Sequence, residues 1–96
     1  MDTIKIKFEG KEYLLEMSWS VIGGYDTFAV LISEPDLLDI DGPLIQFLNK
    51  SGPPYKAMFQ NSENTDQISL RRIIAAEIEN RFLPLIRNEH SGDLYA

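Results

Sequence analysis

An α+β fold is expected for this chain: a three-stranded amino-terminal meander plus a fourth strand in one antiparallel sheet, covered on one face by a carboxy-terminal helix, in the order β-β-β-α-β-α. Three observations lead there. Hydrophobic residues alternate with polar ones through the first third of the chain, glycine-containing turns divide that third into three segments, and a 3.6-residue apolar stripe runs from about residue 66 to 83. With 96 residues, one domain spanning 1–96 is expected, with 88–96 as a frayed tail.

The first strand sets Ile4, Ile6 and Phe8 on one face. A two-residue turn at Gly10-Lys11 would place Phe8 opposite Tyr13, Ile6 opposite Leu15 and Ile4 opposite Met17, with Lys5 across from Glu16 on the other face. A turn at Glu9-Gly10 slips the pairing by two and keeps the faces, so the face assignment is firmer than the register. Gly23-Gly24 supplies the positive φ angles of a second hairpin and pairs Trp19 with Phe28 and Met17 with Val30. The inner face of the meander then carries Ile4, Ile6, Phe8, Tyr13, Leu15, Met17, Trp19, Phe28, Val30 and Ile32, and must be covered.

Gly42-Pro43 ahead of Leu44-Ile45-Gln46-Phe47-Leu48 favours a short helix with proline in its first turn, stopped at Asn49-Lys50-Ser51-Gly52, although five alternating residues fit a strand as well. Tyr55 to Gln60 reads as the fourth strand, with Tyr55, Ala57 and Phe59 inward. The final helix is announced by Ser62-Glu63-Asn64-Thr65-Asp66, where Asn64 with Gln67 makes a capping-box variant. Leu70, Ile74, Ile78 and Phe82 share its stripe, Ile68 and Ala75 border it, and Pro84 ends or kinks it near Phe82 or Leu83.

No cysteine is present, which removes disulfides, thiolate nucleophiles and cysteine-ligated zinc, and makes a reducing compartment, the cytoplasm, the expected address. No stretch approaches the roughly 20 apolar residues of a membrane span, and the amino terminus alternates where a signal peptide would be continuously apolar, so a mature soluble chain is expected.

The formal charge of −6 is concentrated in the middle: six acids face two lysines over residues 34–66, whereas the last thirty residues balance four against four. Glu34, Asp36, Asp39 and Asp41 lie within eight residues, with Leu37, Leu38 and Ile40 between them. Such a segment disfavours nucleic acid and anionic membrane and suits a basic protein partner, with the leucines as apolar anchors. The plainer reading is a solvated loop in which Asp39 or Asp41 caps a following helix. Asp39-Ile40-Asp41-Gly42 resembles part of a calcium loop, but Leu37 and Leu48 then occupy ligand positions, so no metal is expected.

Arg81 falls inside the apolar stripe, where a charge needs a partner such as Glu77 four residues earlier, an exit to solvent, or an anion. With Tyr25 beside Gly23-Gly24 it defines an alternative site, a small-ligand cleft between helix and sheet with weak enzymatic activity. His90 beside Ser91 and Asp93 lacks the strained nucleophile turn that a hydrolytic triad needs, so no catalytic residue is assigned. Leu14, Ala29 and Leu31 lie on the uncovered face of the meander and form a candidate homodimer patch. The reading that emerges is a small acidic, non-catalytic interaction domain, an accessory subunit or an inhibitor or immunity-type protein, without cofactor, that binds a basic protein partner.

Overall fold

The computed structural model describes residues 2–50 and 56–84. Its elements are β1 (Asp2–Phe8), β2 (Lys11–Ile22), β3 (Tyr25–Leu31), α1 (Pro35–Leu38), β4 (Leu44–Lys50) and α2 (Thr65–Glu77). The four strands form one antiparallel sheet in the order β1-β2-β3-β4. Among the described residues no helix is long and apolar enough to cross a membrane. The expected frayed tail at 88–96, His90, Ser91, Asp93, Tyr55 and the stop at Ser51-Gly52 lie outside the described residues.

The first hairpin turns at Glu9-Gly10, so Ile6 faces Tyr13, Ile4 faces Leu15, and the alternative register holds. Both turn residues have positive φ, 51° at Glu9 and 79° at Gly10, the type I′ geometry whose twist matches that of the flanking strands. The slip moves Lys5 from Glu16 to Leu14, sets Lys7 opposite Glu12, and lets Lys5 reach Glu12 diagonally at 3.2 Å. At the second hairpin Gly23 and Gly24 also have positive φ, and Trp19 faces Phe28 and Met17 faces Val30 as the sequence predicts.

The middle of the chain differs from expectation. Residues 44–50 are not a helix but the fourth strand, paired along its length with β3. A helix of five to seven residues stays below the length at which helices hold without support, whereas the same residues as a strand bury Ile45, Phe47 and Asn49 on the inner face. Segment 56–60, expected to be a full strand, contributes one bridge between Met58 and Leu48, although Ala57 is buried as expected and Phe59 partly so. The helix of the fourth place is instead the short α1, inside the acidic segment, with Pro35 at its start. The order β-β-β-α-β-α therefore stands with different residues in its fourth and fifth places.

The helix α2 begins where its cap predicts: the Asn64 side chain accepts the Asp66 and Gln67 amides at 2.9 and 3.1 Å. Gln67 does not close the box on Asn64; its amide nitrogen donates to the Ile40 carbonyl at 3.0 Å, and Ser62 Oγ accepts the Asn64 amide instead. Leu70, Ile74 and Ile78 are buried on the sheet, each contributing about 2 kcal/mol by removal from water. Past Glu77 the helix widens into a π turn over Ile78–Phe82, closed by the Leu83 amide on the Ile78 carbonyl. The i→i+5 spacing brings Leu83 rather than Phe82 into the stripe; Leu83 is buried and Phe82 only partly so.

Candidate functional site

The acidic segment is more compensated than its sequence shows. Asp36 accepts a hydrogen bond from Lys11 Nζ at 3.0 Å, which with the Asp36 charge raises the lysine pKa. Asp41 holds Arg71 in a bidentate pair, Nε to Oδ2 at 2.6 Å and Nη2 to Oδ1 at 3.1 Å, and the hydrogen bond raises the arginine pKa. Their side chains are only 8% and 14% exposed, and Arg71 Nη1 also donates to the Gln60 carbonyl at 2.6 Å. No helix follows Asp41; its Oδ1 accepts the amide of Gly42 at 2.9 Å. Leu37 belongs to the core, Ile40 packs partly against it, and Leu38 is exposed. Among the described residues Glu34 and Asp39 carry no ion pair, although the Glu34 charge also acts on Lys11.

Arg81 and Tyr25 are not brought together. The π turn rotates Arg81 out of the apolar stripe, leaving its side chain 55% exposed and 3.9 Å from Glu77. The space between helix and sheet, expected to hold a cleft, is filled by Leu70, Ile74, Ile78 and Leu83. Tyr25 lies on the opposite sheet face, paired with Ile22 and Lys50. It lines an open groove of about 850 Å³ along β4, shared with Leu44, Gln46, Leu48, Met58, Phe59 and Arg71.

A polar chain that sequence reasoning missed crosses the far end of the sheet. Trp19 Nε1 donates to Asp26 Oδ1 at 3.2 Å, Asn49 Nδ2 donates to Asp26 Oδ2 at 2.9 Å, and Asn49 Oδ1 accepts the Lys56 amide at 3.0 Å. Next along the chain, the Ala57 amide donates to Glu79 at 2.9 Å. Asp26 and Asn49 are buried, so a carboxylate sits inside with neutral donors on both oxygens. The signal was present: Asp26 shares the inward parity of Phe28, and Asn49 that of Phe47 once 44–50 is a strand. Trp19 keeps its expected face but is 41% exposed, because β2 runs on past Met17, the last residue that β1 reaches. The chain of contacts ties segment 56–57 to three strands and the helix.

The outer face of the sheet exposes apolar side chains. Leu14 is 64% exposed, Leu31 41% and Leu44 55%, with Ala29 half-buried between the strands. Leu31 stands between Glu16 on β2 and Leu44 on β4, so the patch extends beyond Leu14, Ala29 and Leu31 onto the fourth strand. Among the described residues no group of three or more His, Cys, Asp or Glu side chains is placed to hold a metal ion. No family model, curated protein or solved structure matches the chain, and its functional reading therefore rests on this geometry.

Proposed function

We propose that the chain is a small acidic, non-catalytic protein-interaction domain, an accessory subunit or an inhibitor acting in the cytoplasm, that meets a partner presenting apolar side chains beside lysine or arginine. The observation that supports this reading is the juxtaposition on the outer face: Leu31 and Leu44 are exposed, Glu16 lies directly across from Leu31, and Glu34 and Asp39 follow on the adjoining segment without an ion pair among the described residues. Apolar surface supplies affinity, and carboxylates at its rim steer a basic partner and reject an acidic one.

The test is quantitative co-purification with the tagged chain from its source cells at low and high salt. Leu31→Glu with Leu44→Glu removes a stoichiometric partner, and Glu16→Gln with Glu34→Gln and Asp39→Asn slows association and flattens its salt dependence. The same partner retained at equal yield by both variants refutes the proposal.

A homodimer through the same face is the second reading. Lys5, Lys7, Glu12 and Glu16 occupy the outer positions of β1 and β2 beside the leucines, a mixture of signs that a two-fold copy can satisfy. Light scattering separates the two: a dimer mass that falls to a monomer in Leu31→Glu assigns the face to self-association.

A further inference from the structure

Among the described residues the sheet has an unfinished edge along β4. Leu48 exchanges both backbone bonds with Met58, donating at 2.8 Å and accepting at 2.7 Å, so its backbone points away from β3. Alternation along a strand gives Gln46 and Leu44 the same orientation. The phase is confirmed at the start of β4, where the Ile32 amide donates to the Pro43 carbonyl at 2.7 Å and odd-numbered residues bond inward. Among the described residues, no backbone group pairs with Gln46 or Leu44 on the outer side. Segment 56–60 begins that pairing at Met58 and then leaves it, its Gln60 carbonyl drawn to Arg71. The groove of about 850 Å³ opens where the pairing stops. Between Leu44 and Leu48 the strand has no proline, charged residue or bulge to deter another strand.

We propose that this edge takes an extended segment of a partner protein as a fifth strand, continuing the pairing that Met58 starts. This deepens the reading of the chain as an interaction domain and rests on it. Backbone donors and acceptors at a two-residue period fit an extended chain. Met58, Phe59 and Gln60 line the groove beside the edge, and a lone strand needs less room there than the edge of a folded sheet. Charge selects the sequence of the segment. The one charged lining residue, Arg71, is neutralised by Asp41, so the seated residues are apolar or uncharged. The formal charge of −6, with Asp39 carrying no ion pair among the described residues, favours basic residues flanking them.

A display library of random decapeptides panned on the full chain tests this. Enriched peptides are expected to alternate apolar with uncharged polar residues and to carry lysine or arginine at their ends. Synthesised and added to the ¹⁵N-labelled chain, they slow hydrogen exchange at the Gln46 and Leu44 amides. Gln46→Pro deletes a donor that faces away from β3, a change edge strands tolerate, and lowers peptide affinity at least tenfold with the thermal midpoint little changed. Should that variant not fold, Gln46→Lys places a like charge before the basic peptide and weakens binding several-fold in a folded chain.

No enrichment, unchanged exchange at both amides, or equal affinity for the variants overturns the proposal. A solution dimer that Gln46→Pro dissociates also overturns it, assigning the edge to a second copy. A cellular partner lost by Leu31→Glu but kept by Gln46→Pro removes the fifth strand alone and leaves the interaction domain standing.

Discussion

Removing the guanidinium of Arg71 should be among the most damaging single changes outside the apolar core. The group makes three N–H bonds, two to Asp41 and one to the Gln60 carbonyl, and its burial leaves little water to replace them. In Arg71→Met the Asp41 carboxylate keeps only the Gly42 amide. Breaking a buried pair from one side costs about 3–5 kcal/mol, since a charge is left without its counterion. Asp41→Asn retains one acceptor and should cost about 2 kcal/mol. The double variant has no orphaned charge and should lose about 3–4 kcal/mol, well short of the sum, a coupling of about 2 kcal/mol.

Urea unfolding of the four proteins measures this directly: with a slope of about 1.3 kcal/mol per molar, the midpoint of Arg71→Met falls by about 2–4 M. Hydrogen bonding to Asp41 raises the arginine pKa, so the arginine's part of the coupling is fully present below its ordinary value and is lost only as the pH rises through the raised one, in strong alkali. It should also persist in 1 M salt. Single-variant losses that simply add, to within about 0.5 kcal/mol, refute the buried-pair account and return Asp41 to the surface available to a partner.

Gly42→Ala should destabilise by about 2 kcal/mol or more in the same assay, because φ is 107° and the new Cβ would sit 2.9 Å from Ile32 Cβ; an unchanged midpoint contradicts it. Asn49→Ala removes the Asp26 donor and orphans the Lys56 amide, a loss of about 2–4 kcal/mol with accelerated exchange at Lys56, and an amide that stays protected speaks against the network. Arg81→Met, in contrast, should leave the midpoint within about 0.5 kcal/mol of the parent, since the arginine is exposed; a large loss would put Arg81 back in the stripe. The Lys11–Asp36 pair is open to water, and Lys11→Met should show no measurable change.

The sheet faces were legible because strand parity depends on nothing beyond the two-residue repeat, and Gly23-Gly24 and Asn64 have local chemistry that determines what they do. What escaped were decisions made between distant segments. Residues 44–50 carry a pattern open to two structures, and the exposed bonding groups of β3 chose between them. The pairing of Asp41 with Arg71 spans thirty residues, and no spacing rule reaches that far. Those same long-range contacts decided how much of the acidic segment remains available: Glu34 and Asp39 looked no different from Asp36 and Asp41 in the linear chain. Arg81 was misplaced by geometry rather than by chemistry, for 100° per residue ceases to apply where the helix widens.

That widened turn also bears on how the chain can change length. A π turn is an α turn holding one additional residue, and here the core contacts on its two sides, Ile78 and Leu83, are five apart instead of four. Deleting Asn80 would close the turn to ordinary α spacing, with Leu83 still returning to the stripe and Glu79 still beside Ala57. The helix thus carries slack at a position where a helix of unbroken α winding would have none. A one-residue deletion, ordinarily ruinous to the packing that follows it, has at Asn80 a place to be absorbed.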